Sequence, residues 1–403
     1  MDNFLMTSSA YATLDADVAH TVEVLKIALA DYNGSHKSKH WDVFPENYVE
    51  RISDPSVWED FRYNNLTAGF DVGWSDPSKS GKPAVIDDHS EPRAQPILRR
   101  YRSLLSITGP EFISEFVEAE IGNPERLYLD GVALNTTDLR LLHDAWDISQ
   151  WFVDRNAPKR SVEIGGGFGG LTGKIRSLYP DCQCIILDLP EVNAVQSIYY
   201  RMRFPNIRLL DYAAFKERGP ECLLNTDWDI ALLPGWCAVD VADQSIDLIV
   251  NTRSFMEMTN DTVAFYFREL QRFSRVSGFF YCVNRYWKAT AGEPVLLKRF
   301  PFDARWVFSL SAMAWDQDWL HRLGAVRLDF DSAISPKEQI RNLPPSSLRD
   351  TWDNLKFFFR GIIRLTLGGH RNIEPGLNRY LFLTRRYLER LAVSVIKRLI
   401  GRS

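Results

Sequence analysis

"VEIGGGFGGLTGKIRSLYPDCQCIILDLPE", residues 162–191, runs from an apolar strand through five glycines in six positions into a helix, then into a second apolar strand that ends in an acid. A strand that turns sharply into a helix needs glycine, because the turn demands unusual backbone angles and a ligand must approach bare backbone. In an open parallel sheet the ligand lies beyond the carboxyl ends of the strands, where the strand order reverses, so Gly165 to Gly170 should form its floor. Asp188 closes the second strand, where a carboxylate can accept hydrogen bonds from both hydroxyls of a ribose. Glycines, helix, second strand and acid in this order are a stronger signal than glycine spacing alone.

The glycines satisfy two templates. Gly165, Gly167 and Gly170 spell the dinucleotide pattern G-x-G-x-x-G, while Glu163 followed by Gly165, Gly167 and Gly169 spells the acid-x-G-x-G-x-G loop of nucleoside-binding methyltransferases. Three features favour the second. Glu163 stands inside the strand, where a carboxylate can organise a loop facing a cationic amino-acid moiety. Lys174 is the one basic residue near the helix start, which suits a ligand without a pyrophosphate. No Tyr-x-x-x-Lys or similar proton relay of a hydride-transfer enzyme follows downstream. Glu163 as a capping acid and Asp188 as an N-cap ahead of Pro190 and Glu191 are compatible alternatives.

The remainder of the 403 residues gives this stretch its setting. Hydrophobic content of 45% and 13% aromatic residues predict a real core, and the length allows two or three domains. Cysteines 182, 184, 222, 237 and 282 show neither a C-x-x-C nor a metal spacing, so a reducing compartment is expected. The N-terminus has no signal-peptide pattern and no 18 apolar residues run together, so the protein is expected in the cytoplasm. Helical spacing predicts a helix over 11–32, and further helices over 97–120 and 138–153. A polar segment from Gly69 to Pro96 and the stretch "EIGNPERLYLDG" read as loop and turns. After Arg160 the chain alternates: SVEIG, CIILDL, DIALLPG, SIDLIVNT, GFFYCVN and AVRLDF as strands, with helices over 171–178, 191–203 and 261–274 between them. Such alternation predicts an α/β fold with parallel strands and helices on both faces.

Several blocks in this order resemble the sugar O-methyltransferases, a bacterial group of class I S-adenosylmethionine-dependent enzymes. They are "VEIGGGFGGLTGKI", "IILDLPEV", "SIDLIVNTRSFMEM", "GFFYCVNRYWK" and "FPFDARWVFSLSAMAWDQDWLHRL", with "EIGNPERLYLDGVALNTTDLR" upstream. The resemblance covers about residues 110–325 and, more faintly, "VWEDFRYNNLTAGFD". It implies a Rossmann-like class I methyltransferase sheet of seven strands. It places S-adenosylmethionine over Gly165, Gly167 and Gly169 with its ribose on Asp188. It also implies a sugar hydroxyl as acceptor, in a bacterial surface glycan or its precursor. The expected organisation is a mainly helical N-terminal domain over 1–155 serving as lid or dimerisation surface, the methyltransferase domain over 156–335, and a basic helical extension over 336–403.

Methyl transfer from a sulfonium is an in-line displacement helped by alignment, exclusion of water and a base for the acceptor proton. Loops after strands should carry the groups. After SIDLIV stand Asn251, near the cofactor, then Arg253, Ser254 and Glu257; after GFFYCV stand Asn284, Arg285 and Tyr286. Glu257 is the expected base and Arg253 orients the substrate, with Ser254, Asn284, Arg285 and Tyr286 binding it. If this segment is helical, Arg253 and Glu257 form an i,i+4 surface pair instead. His321, read in an amphipathic helix, is the other candidate base or a structural histidine. Trp236 is expected to stack on adenine or to pack as a core or lid residue. Acids do not cluster in a way that dictates a divalent metal; one is left open without support, and no metal ligand is assigned.

From Thr351 onward the chain carries net +8 against −12 for residues 1–350. Its phenylalanine run and final amphipathic helix suggest an anionic membrane surface, with packing on the catalytic domain or on the second subunit of a homodimer as the alternative. Nucleic acid binding is not expected. The competing functions are a natural-product O-methyltransferase, an NAD(P)-dependent oxidoreductase and a non-catalytic membrane scaffold.

Overall fold

The computed structural model describes residues 8–341, apart from 33, 35–43, 45, 64–81, 119, 289, 290, 292 and 317–319. All of them fall within one unit, Met1–Phe358. The basic tail and residues 69–81 of the Gly69–Pro96 segment therefore lie outside the described residues.

The first helix, α1 (Ser8–Asp31), buries the stripe its spacing predicts, with Val18 and Leu25 each 2% exposed. The short α2 (Tyr48–Ile52) and a 3-10 turn at Pro55–Trp58 follow, and Trp58 is fully buried. Regular structure is present before Pro96, where the polar composition predicts loop. β1 (Val85–Ile86) and the first three residues of α3 (Ala94–Phe116) take positions expected in a loop, and the rest of α3 is the helix expected over 97–120; Ile86, Ile97, Leu98 and Leu104 form a separate small core with Leu127, Leu134 and Leu142. α3 is broken at Gly109, whose φ of 78° leaves the helical region just before Pro110. "EIGNPERLYLDG" does more than turn. It makes β2 (Arg126–Leu129), which pairs with β3 (Val132–Leu134) across Asp130 and Gly131. Both turn residues have positive φ, 52° and 81°, as a tight two-residue hairpin requires. α4 (Thr136–Phe152) starts at Asn135, whose side chain accepts from the amides of Thr137 and Asp138.

The alternation after Arg160 becomes β4 (Arg160–Ile164), α5 (Gly170–Leu178), β5 (Gln183–Asp188), α6 (Pro190–Arg203), β6 (Leu209–Leu210), α7 (Tyr212–Arg218), β7 (Ile230–Pro234), β8 (Ile246–Thr252), α8 (Asn260–Phe273) and β9 (Ser274–Arg285). A small hairpin, β10 (Trp287–Lys288) with β11 (Val295–Leu296), precedes β12 (Trp306–Met313), β13 (Leu320–Arg327) and α9 (Pro336–Arg341). The main sheet runs β12-β13-β9-β8-β4-β5-β7-β6. Its pairs are parallel except where β13 inserts antiparallel between β9 and β12. Among the described residues the sheet has eight strands rather than seven, with Leu209–Leu210 a two-residue edge against Ile230–Ala231. Apolar side chains on both faces explain why the strands read as continuous hydrophobic runs. Val162, Ile185 and Phe280 face one core, and Ile186, Val250 and Phe279 the other. Strand order reverses between β4 and β8, and there the glycine turn opens.

A buried charge network ties the segments before the sheet to α5 and α6. Lys174 on α5 is fully buried; its ammonium meets Asp138 of α4 at 2.5 Å and donates to the Phe116 carbonyl at 2.9 Å. Glu118 accepts from Arg62, Arg203 and the Tyr199 hydroxyl, and its amide donates to Asp138. Each charge has a partner, as burial requires.

Candidate active site

Gly165, Gly167 and Gly169 have φ of 71°, 58° and 98°, the left-handed region that glycine enters without penalty. A β-carbon on Gly165 would lie 1.8 Å from Ser254 Oγ, so the loop after β8 sits directly on the glycine turn. Glu163 is 2% exposed. Its Oε2 accepts from the Thr172 amide at 3.1 Å and the Thr172 hydroxyl at 2.6 Å, which makes it a cap for the first turn of α5 supplied by the preceding strand. Burial pushes this carboxyl up to about 8, against the pull of the Thr172 hydrogen bonds. Asp188, half-buried at the end of β5, is raised to about 7, again chiefly by burial, with the amides of Leu189, Gly167 and Gly166 and the Gln196 side chain pulling down. Its oxygens accept from the Leu189 amide at 2.8 Å and the Gln196 amide group at 3.1 Å, and each keeps a lone pair for a further donor.

These features test which cofactor fits. A pyrophosphate needs free amide donors and the positive end of the dipole at the start of a helix. Here Glu163 occupies that place with a carboxyl group, and Lys174 points away into its ion pair with Asp138. A sulfonium nucleoside fits instead: its ribose hydroxyls would donate to Asp188, and its cationic end would lie over the bare glycines beside Glu163.

The loop residues divide into fully buried latches and partly buried groups. Asn251, expected at the cofactor, is fully buried. Its amide donates to the Ile164 carbonyl at 2.8 Å, and its oxygen accepts from the Phe255 amide at 3.2 Å and from Asn284 at 2.8 Å. Asn284, expected at the substrate, is likewise fully buried and accepts from the Met256 amide at 3.0 Å. Both asparagines bind backbone and each other, and they fix the loop after β8 to β4 and β9. Asn251→Ala would leave two backbone groups and Asn284 without partners, so we expect a loss of about 3–5 kcal/mol, read as a lower urea midpoint at unchanged slope.

Arg253 and Glu257 do not form a helical pair. Arg253 has φ of 62°, a conformation costing about 1–3 kcal/mol, and is held there by its amide on the Val283 carbonyl and its guanidinium on Asp144 at 2.8 Å. Glu257 closes a 3-10 turn, Phe255–Glu257, and its carboxylate binds the ammonium of Lys288.

His321 is on strand β13, not in a helix, because "LHRLGAVR" pairs across to β9 and β12. It is fully buried, with Nδ1 2.8 Å from the Tyr286 hydroxyl and Nε2 3.0 Å from Ser311 Oγ, and burial together with Arg322 lowers it to about 4. That imidazole is neutral and engaged at both nitrogens, which suits positioning Tyr286 rather than meeting an acceptor. Arg285 ends β9, half-buried, opposite Leu320. Trp236, in the 3-10 turn Gly235–Asp240 after β7, stacks on Tyr32 at 5.5 Å and meets Tyr212 edge-on.

A polar wall on α4 went unread in the sequence. Asp144 and Asp147 are bridged by the Tyr281 hydroxyl at 3.0 and 2.8 Å, and Arg322 binds Asp147 as Arg253 binds Asp144. Its signal was "HDAWD", residues 143–147, where a histidine and two acids interrupt the stripe that Leu139, Leu142 and Ile148 bury. Among the described residues no group of three or more histidines, cysteines and acids is placed to hold a metal, and no helix is long and apolar enough to cross a membrane.

Residues 153–223, from the end of α4 through α7, match a family model described as an O-methyltransferase domain. No curated protein matches the chain. Among solved structures the chain is similar to an S-adenosylmethionine-dependent methyltransferase from Aquifex aeolicus, at 12% identity over 46% of this chain and 90% of that one, with a TM-score of 0.29. It is also similar to geranyl diphosphate methyltransferase in complex with S-adenosylmethionine, at 15% identity over 47% of this chain and 88% of that one, with a TM-score of 0.33. Sheet order, glycine turn, the capping Glu163 and the matched segment define the class: an S-adenosylmethionine-dependent methyltransferase. The matched domain narrows it to one that methylates oxygen.

Proposed function

We propose that the protein transfers a methyl group to a hydroxyl of a sugar, within a bacterial surface glycan or its precursor. The observation that carries this reading is the polar wall. Asp144, Asp147, Tyr281, Arg253 and Arg322 meet beside the loop that rests on the glycine turn, where an apolar acceptor would call for aliphatic and aromatic lining. Carboxylates and guanidiniums are directional partners for hydroxyl groups. The sequence blocks "NTRSFMEM" and "NRYWK" support the same acceptor class by their resemblance to sugar O-methyltransferases.

When bound, S-adenosylmethionine supplies an activated methyl group. The chain's own part is to hold and exclude. Asp188 accepts from the ribose, the bare glycine turn admits close approach, and Ser254 packs the β8 loop against that turn. Arg253, fixed by Asp144, keeps the loop in its strained shape. Calorimetry should show binding of S-adenosylmethionine and none of NAD, and transfer of labelled methyl to a panel of methyl pyranosides should exceed transfer to simple phenols. Labelling of phenols alone would refute the sugar acceptor and favour a natural-product substrate.

A further inference from the structure

Three polar atoms are buried without partners at one corner of the polar wall. They are Nδ1 of His143 on α4, and Nε1 of Trp315 and Oδ1 of Asp316 in the connection from β12 to β13. His143 is 1% exposed and stacks on Trp315 with ring centres 5.3 Å apart. The Asp316 side chain is 1% exposed, and its other oxygen accepts from Arg100 Nε at 2.9 Å. Buried polar atoms nearly always have partners, so three together mark a place where something polar is received. The set is an indole donor, a carboxylate acceptor and an imidazole able to play either part. That is the complement of adjacent hydroxyl groups, each of which donates and accepts.

We infer that this corner is the acceptor site, taking a pyranose whose reacting hydroxyl gives its proton to His143 while Trp315 and Asp316 bind neighbouring hydroxyls. The inference rests on the sugar reading above and adds to it a location and a base. Asp147, one turn along α4, stands 3.7 Å from His143 Nδ1. That is too long for a hydrogen bond, so Nδ1 stays open to the acceptor hydroxyl, while the nearby negative charge favours the ring once it is protonated. In the reaction the hydroxyl oxygen bonds to the methyl carbon as the carbon–sulfur bond breaks and leaves its electrons on sulfur. The hydroxyl proton passes to the imidazole and then to solvent, which balances the step.

The groups facing His143 are Asp147 on its own helix, Arg322 on β13, Asp316 in the β12–β13 connection and Arg253 after β8. Burial outweighs the two acids and lowers the imidazole to about 4, so it is neutral and able to accept a proton throughout the physiological range. Glu257, tied to Lys288, is the less available base.

The test compares the full chain with His143→Gln, Asp316→Asn and Trp315→Phe. It measures S-adenosylmethionine affinity by calorimetry, binding of methyl pyranosides by saturation-transfer NMR, and labelled methyl transfer from acid to neutral pH. His143→Gln should lower kcat about 10²–10⁴-fold, leave S-adenosylmethionine affinity and the acceptor KM within a few-fold, and abolish an acidic limb near pH 4 that the unmodified protein shows. Asp316→Asn and Trp315→Phe should raise the acceptor KM about tenfold with kcat less affected. Full turnover with the same pH profile in His143→Gln overturns the assignment of the base while leaving the sugar reading intact. A protein that takes up S-adenosylmethionine but neither binds nor methylates any pyranoside overturns the pyranose site together with that reading. Loss of phenol methylation in His143→Gln, with pyranosides inert, refutes the sugar alone and keeps the base.

Discussion

Gly165→Ala should abolish cofactor binding, weakening S-adenosylmethionine by at least about 100-fold in calorimetry while the chain stays folded. Two costs combine. An alanine at φ of 71° sits in the left-handed region at roughly 1–2 kcal/mol. Its β-carbon would also lie 1.8 Å from Ser254 Oγ and 2.6 Å from Ser254 Cβ, so the β8 loop or the turn must shift. Trimming the hydroxyl by Ser254→Ala relieves only the first clash, so the double variant should recover little. Gly131→Ala separates strain from contact. Gly131 has φ of 81° with nothing within 4 Å of its β-carbon, so that variant should lose about 1–2 kcal/mol of stability and bind cofactor normally. Equal binding by Gly165→Ala and the native chain would disprove the role assigned to the turn.

Binding of S-adenosylmethionine should release protons, and affinity should rise up to about tenfold per pH unit between pH 6 and 8. Glu163 is raised to about 8 and Asp188 to about 7, so near neutrality the free protein carries part of a proton on each. A cation beside Glu163 and ribose donors on Asp188 favour the ionised forms, and the protons leave. Glu163 is raised further than Asp188 and so holds more of its proton near neutrality, and it should supply the larger share. The sign for stability runs the other way. A carboxyl whose folded value is raised contributes fully below its unfolded value of about 4.5, and that contribution is lost as pH climbs through about 8. The free protein should therefore melt at lower temperature as pH rises over this window. Glu163→Gln keeps an acceptor for Thr172 and removes the charge, so it should flatten both dependences and stabilise the alkaline form by an amount on the order of a few kcal/mol. Calorimetry in buffers of different ionisation enthalpy counts the protons; none released near pH 7 would contradict the assignment.

The sheet was legible because its evidence is local. Strand, glycines, helix, strand and acid follow one another between Val162 and Asp188, and each carries its own period and turn chemistry. The hairpin at Asp130-Gly131 was equally local but short, and its flanking strands of four and three residues gave too little alternation to stand out. His321 shows a different failure. "WDQDWLHRL" has helical spacing, yet from Leu320 the chain lies between β9 and β12 and is claimed by pairing partners at residues 279–285 and 306–313, which outweigh local propensity. The same holds for Asn251 and Asn284. Their residue type suits a ligand contact, but only the packed structure shows their hydrogen bonds already taken by backbone. The partners of Arg253 and Glu257 lie 109 and 31 positions away, at distances that no spacing rule reaches.

The ion pair between Lys174 and Asp138 has a meaning for ancestry. The lysine belongs to the cofactor helix and the acid to the helix before the sheet, and both are sealed from water with Glu118 and Arg203 close by. Separating them would strand a charge at about 3–5 kcal/mol, a large part of what holds a domain folded. A gene fusion that joined this catalytic sheet to a foreign leading segment would begin with that deficit. The two parts should therefore be inherited as a block, and substrate range should diversify by point substitution along α4 more readily than by exchange of whole modules.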